Sequence, residues 1–117
     1  MSEEKIMLGL YEKVNIIPKN KEKSDKYIAR IDTGATKSSI DMVLAGKYNL
    51  GPILRTKYVK NANGNKLRPI IEVEIEIAGK KLKGEFTLAD RSHMKYPVLI
   101  GQNILKQGFI IDPTFER

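Results

Sequence analysis

Ala29-Arg30-Ile31-Asp32-Thr33-Gly34-Ala35-Thr36 is the stretch whose reading decides the fold. A strand-like approach through Tyr27, Ile28 and Ile31 runs into an acid, a hydroxyl and a glycine, which is how a strand ends when its last side chains must be presented rather than buried. An aspartate in such a place can cap a turn, bind a metal or form one half of a carboxylate pair, and the triplet alone leaves all three open. A second stretch bears on the choice. Val98-Leu99-Ile100-Gly101-Gln102-Asn103-Ile104-Leu105 is an apolar run closed by glycine and followed by a short helical pattern.

Working outward toward the N-terminus, Pro18 to Lys26 is a polar, charged loop that ends in the strand delivering Asp32. Before it, Ile6, Leu8, Leu10, Val14 and Ile16 alternate as a strand, with a break expected near Tyr11 to Lys13. On the other side, Thr36-Lys37-Ser38-Ser39-Ile40 is short and polar and shows no obvious chemistry, and Asp41 can cap a brief helix carrying Met42, Val43 and Leu44.

Tyr58 to Ala62 leads into Asn63-Gly64, the preferred pair for a two-residue type I′ turn, and Lys66-Leu67 returns. Pro69 cannot donate to a ladder, so this returning strand is expected at an edge or unpaired on that side. From Pro69 to Ile77 the alternation is strict, with Ile71, Val73, Ile75 and Ile77 on one face and three glutamates on the other. A type II′ turn at Gly79-Lys80 would set Ile77 opposite Leu82, Val73 opposite Phe86 and Ile71 opposite Leu88, with Glu76 facing Lys83 and Glu74 facing Glu85. Apolar burial outweighs those charge contacts, so the glutamates read as a solvated face.

Ala89 to Pro97 is an irregular polar loop. In it the opposite charges of Asp90 and Arg91 read as a loop-ordering pair that supports a nearby site, and His93 reads as a loop hydrogen bond. Gln102 to Gln107 reads as a short helix ended by Gly108, and Phe109 to Ile111 as a last strand. The fold class is all-β with one or two short helices, in a single domain over residues 1–117.

Composition narrows the function classes. The chain has 117 residues, 41% hydrophobic and 30% charged, which fits one soluble domain with a modest core. No apolar run approaches the ~20 residues needed to span a bilayer, and the opening residues do not read as a signal peptide, so no membrane partner and a cytoplasmic location are expected. There are no cysteines and one histidine, and the net charge is +7. That charge steers acidic partners toward the protein. The basic residues are scattered and no helix-turn-helix, RRM or zinc-finger pattern occurs, so no specific nucleic-acid partner is expected.

Asp-Thr-Gly-Ala early, then apolar residues and glycine before a helix late, resembles the retropepsin class of aspartic peptidases. The resemblance runs from about Tyr27 to the C-terminus and takes in Asp32 to Ala35, a hairpin in the flap position at Asn61-Ala62-Asn63-Gly64-Asn65, the second motif ending at Ile100-Gly101, its helix and the terminal strand. Ile31 to Ala35, Phe86 to Ser92 and Tyr96 to Gly101 are also similar to the family called ATP-dependent zinc proteases, associated with RimK/LysX ligases. The name implies zinc and ATP. Yet His93 stands without the two further protein ligands a zinc peptidase needs, and no Gly-rich phosphate loop occurs, so no metal and no cofactor are expected.

The retropepsin resemblance implies a barrel and a homodimer. One carboxylate cannot by itself run the acid/base hydrolysis of a peptide bond, whereas two aspartates sharing one proton can, one as base for water and the other as acid for the carbonyl oxygen. With one Asp-Thr-Gly per chain, the second Asp32 would come from a partner copy. Thr33 would brace the loop across the dimer axis, Gly34 would let the backbone approach the reacting centre, and the small Ala35 and Gly101 fit a crowded site. The substrate would be a peptide or protein, and the link to ATP-grasp ligases that append glutamate implies an acidic tail. Against cleavage stands the tip at Asn61 to Asn65, which is not glycine-rich as retropepsin flaps are. The alternative is therefore a non-catalytic peptide-binding or adaptor module with the same fold.

Overall fold

The computed structural model describes residues 4–61 and 64–117. Along them run β1 (Ile6–Leu8), β2 (Tyr11–Ile17), β3 (Lys26–Ile31), β4 (Ser38–Asp41), α1 (Met42–Lys47), β5 (Ile53–Asn61), β6 (Gly64–Ile77), β7 (Lys80–Ala89), β8 (Val98–Ile100), α2 (Gln102–Leu105) and β9 (Phe109–Ile111). Strands neighbour one another in the order β2-β3-β8-β4-β7-β6, and β2 pairs again with β6, so the sheet closes into a barrel. Closure leaves those six strands with few unpaired edges. β5 extends the far end of β6 as a hairpin, and β1 and β9 form a separate parallel pair. Among the described residues, no helix is long and apolar enough to cross a membrane.

Alternation fills the barrel. Ile71, Val73, Ile75 and Ile77 of β6 are at most 1% exposed and share one core with Val14, Ile16, Ile31, Ile40, Phe86 and Ile100. Each large apolar side chain so buried contributes roughly 1.5–3 kcal/mol. The intervening glutamates point outward as expected, and Glu74 and Glu76 pair with Lys21 and Lys23 at 2.9 and 3.1 Å. Asp41 caps α1, accepting from the amides of Val43 and Leu44.

Three local expectations change. The β6–β7 turn is Ala78-Gly79, both at positive φ (50° and 80°) as type I′ requires, rather than Gly79-Lys80. The register moves by two residues, which keeps the apolar faces together but sets Ile75 opposite Leu82, Ile71 opposite Phe86, Glu74 opposite Lys83 and Glu76 opposite Lys81. The awkward like-charge pair is Glu72 and Glu85. This register also places Gly84 under α2, where an added Cβ would lie 2.3 Å from Ile104 Cδ1.

The break in the first strand falls at Gly9-Leu10 instead of Tyr11 to Lys13. Glu12 occupies a buried position, its carboxylate accepting from Gly9 N at 2.8 Å and Arg117 Nε at 3.0 Å. In the β5–β6 hairpin Asn61 pairs with Gly64, so Gly64 belongs to a strand and the connection is 62–63. Ala62 and Asn63 lie outside the described residues. Pro69 pairs with Thr56 on the β5 side, and the β7 pairing stops one residue away at Ile70 and Thr87, so no described strand asks for its missing N–H.

Candidate active site

β3 and β8 run side by side and parallel, with Arg30 level with Leu99 and Ile31 level with Ile100. Asp32 and Gly101 therefore leave the sheet together. The Asp32 amide donates to the Ile100 carbonyl at 2.9 Å, and the Asp32 Oδ1 accepts from the Gly34 amide at 2.9 Å. This short side-chain-to-backbone turn holds one carboxylate oxygen. Among the described residues, Oδ2 has no hydrogen-bond partner in the chain and no cation pairs with Asp32.

The start of α2 braces the loop from behind. Gln102 N and Asn103 N donate to the carbonyls of Ala35 and Thr36 at 2.8 and 3.2 Å, and Gln102 Nε2 donates to the Thr33 carbonyl at 2.8 Å. The approach is so close that a Cβ on Gly101 would lie 2.3 Å from the Lys37 carbonyl oxygen and 2.8 Å from that of Ala35. Glycine is thus demanded by contact between the two motifs. Asp32, Thr33, Gly34, Ala35, Ile100 and Gly101 are brought together at the ends of β3 and β8.

Residues passed over in the sequence complete the support. Ser38 is fully buried inside the barrel, its hydroxyl accepting from Gly101 N at 2.9 Å and donating to Asn103 Oδ1 at 2.9 Å. Asn103 Nδ2 then donates to the Glu85 carbonyl at 2.9 Å, which ties β4, β7 and α2 into one network. The available signal was Ser38 itself, a polar residue at an inward position of a short strand. Glu85 also collects two cations, with Lys37 Nζ at 2.8 Å and the Arg55 guanidinium held two-pronged at 2.9 and 2.6 Å. The Arg55 bonds, then that of Lys37, hold the Glu85 carboxyl down at about 2.

Asp90 and Arg91 do not pair with each other. The Asp90 side chain turns back to the Ser92 amide and hydroxyl, which lowers its pKa. Arg91 is buried, with its amide on Asp41 Oδ1 at 2.8 Å and its Nε on the Tyr96 carbonyl at 3.0 Å. Neither bonds to the Asp32 loop. Register puts Arg30, Leu99, Ser39, Thr87 and Ile70 in one row on the outside of the barrel, with Asp41, Ala89 and Arg68 following on the same face. Burial lowers the Arg91 pKa, the neighbouring Asp41 raises it, and the charges of Arg68 and Arg30 lower it further. Arg30, Arg68 and Arg91 thus lie near one another on the outside of the barrel, with Asp41 and Arg91 at the Pro97 end of β8, away from Gly101 and the Asp32 loop.

The hairpin residues Gly64 and Asn65 are exposed and make no hydrogen bond to the Asp32 loop. Tyr58 and Leu67 face each other across the hairpin, 65% and 58% exposed. Two surface grooves, of about 250 and 750 Å³, are lined by other residues, and Asp32 borders neither. The donors do not fit zinc: among the described residues no three His, Cys, Asp or Glu side chains could hold a metal ion.

A closed barrel with an Asp-Thr-Gly loop seated on a glycine-terminated strand is retropepsin-like in fold. Two solved structures are similar. A protein of unknown function, Lpg0085 (DUF785), from Legionella pneumophila subsp. pneumophila str. Philadelphia 1 is 22% identical with a TM-score of 0.66, covering 97% of this chain and 96% of its own. The Simian Foamy Virus (mac) protease is 18% identical with a TM-score of 0.60, covering 82% and 91%. No curated protein matches the sequence. The profile of the RimB-like family, described as retropepsin-like aspartic endopeptidase RimB, matches residues 44–117, and the chain belongs to that family. The matched span begins after the Asp32 loop.

Proposed function

We propose that this protein is an aspartic endopeptidase that works as a two-fold homodimer, with water activated between the Asp32 carboxylates of two copies. The observation that carries the reading is the presentation of Asp32 at the mouth of paired strands, one oxygen oriented by Gly34 N and no cation paired with it among the described residues. A carboxylate so held is available to a second carboxylate, a water and a shared proton, and the pair acts as base and acid in turn. Thr33 is exposed beside it, with its hydroxyl free of hydrogen bonds to the described residues of its own chain, which suits a contact across the axis. On one copy Asp32 borders neither of the two grooves described, and a cleft shared between two copies suits the reading.

The substrate class we infer is an acidic peptide. Arg30 stands on β3 two residues before Asp32, and a net charge of +7 per chain favours an anionic ligand at long range. The test is cleavage of a peptide mixture containing acidic tails, followed by mass spectrometry from about pH 4 to 7 for wild type and Asp32→Asn. Cleavage that vanishes in the variant and survives a chelator is expected; cleavage retained by Asp32→Asn would sink the reading. For Arg30→Gln, KM on an acidic peptide rises about tenfold, the weight of one charge-assisted contact, while a neutral peptide is unaffected.

The competing reading is a peptide-binding adaptor without turnover. The exposed Tyr58 and Leu67 pair favours it, since an apolar strip on a hairpin suits holding as well as cutting. Peptide binding by wild type and Asp32→Asn alike, with no cleavage by a demonstrated dimer, would establish it.

A further inference from the structure

Glu85 joins three elements that share no backbone pairing at that point: the loop following Asp32 through Lys37, strand β7 that bears it, and the hairpin strand β5 through Arg55. Lys37 leads into β4, and β4, β7, β6 and β5 neighbour one another in that order, so among the described residues Glu85 carries the side-chain hydrogen bonds that link Lys37 to Arg55. Both Glu85 oxygens are engaged, Oε1 by Lys37 and Arg55 together and Oε2 by Arg55 alone. The Glu85 backbone is also held, its carbonyl accepting from Asn103, which itself receives the Ser38 hydroxyl beneath Gly101. The clamp therefore stands on the same network that fixes the Asp32 loop.

We propose that Glu85 is a positioning residue that couples the β5–β6 hairpin to the Asp32 loop, so that the hairpin's base and the candidate catalytic carboxylate are set by one shared contact. A planar guanidinium held at both oxygens fixes direction as well as distance, whereas the Lys37 ammonium is a point charge that follows the loop. Loosening either cation alters the geometry seen by the other. The hydrogen-exchange part of the test below stands by itself; only its kinetic part rests on the peptidase reading.

The test is a double-mutant cycle on the full chain with Lys37→Gln, Arg55→Gln and the pair, each repeated in a Glu85→Gln background, with amide hydrogen exchange along Arg55 to Lys60 as the readout. Lys37→Gln is expected to speed exchange in that distant segment by roughly threefold, an effect the size of an exposed ion pair, and the effect vanishes when Glu85 is Gln. Unchanged hairpin exchange in Lys37→Gln, or identical effects with and without Glu85, would overturn the coupling. If the protein cleaves peptide, Arg55→Gln raises KM, Lys37→Gln lowers kcat and Glu85→Gln does both. Equal effects of all three on kcat and KM would reduce Glu85 to a surface pair. A protein that cleaves nothing yet shows the exchange coupling leaves this inference standing and removes the peptidase reading.

Discussion

The Asp32 loop and the β5–β6 hairpin are opposite solutions to presenting side chains. The loop is short and pressed against α2, every turn of it answered by a backbone amide or carbonyl, with Gly101 admitting no further atom. The hairpin is long, turns Tyr58 and Leu67 outward and meets the barrel through the continuation of β6 and through Arg55. A group that must meet its reaction partner within a few tenths of an ångström is placed where the scaffold is over-determined, and a group that adapts to a ligand is placed where it is not.

The contrast can be broken most sharply at Gly101. Gly101→Ala forces a methyl into the Lys37 carbonyl and is expected to cost about 3 kcal/mol, seen as a large drop in the thermal midpoint, with the Asp32 loop displaced. Next comes Ser38→Ala, which strands the Gly101 amide and Asn103 Oδ1 inside the barrel; the expected loss is about 1–3 kcal/mol in denaturant unfolding. Ser38→Ala at wild-type stability would show that the loop is held by backbone contacts alone.

Acid sharpens the comparison at the clamp. Because Glu85 titrates at about 2 in the folded chain, below its ordinary 4.5, its stabilising contribution is complete above about 4.5 and is lost as pH falls through about 2. Wild type and Glu85→Gln should therefore differ in stability at pH 6 and converge near pH 2. The smallest effect is expected on the hairpin surface: Tyr58→Ala or Leu67→Ala should change stability by no more than about 0.5 kcal/mol, while weakening peptide binding measured by calorimetry.

What the sequence made legible follows the same division. The alternation from Ile71 to Ile77, the Asp41 cap and the two motifs around Asp32 and Gly101 could be read because each is a local rule with a strong apolar or turn preference. Glu12 could not be read, since an acid at an inward strand position makes sense only once Gly9 and Arg117 are beside it. The β6–β7 register slipped by two because both candidate turns keep the apolar faces together, and only Gly84 beneath Ile104 separates them. Ser38, Asn103 and Glu85 were invisible as a set, being 65 and 18 residues apart along the chain in their two contacts.

The pairing of β1 with β9 carries a consequence for how the protein is made. Ile6 donates to the Gly108 carbonyl and Glu12 receives Arg117, so the first strand finds its partners about a hundred residues downstream. Such long-range closure slows folding, because chain entropy is lost before the contacts that repay it form. During synthesis β1 must wait until Phe109 to Ile111 have left the ribosome. β1, made before every other strand described, is fastened after all of them are available.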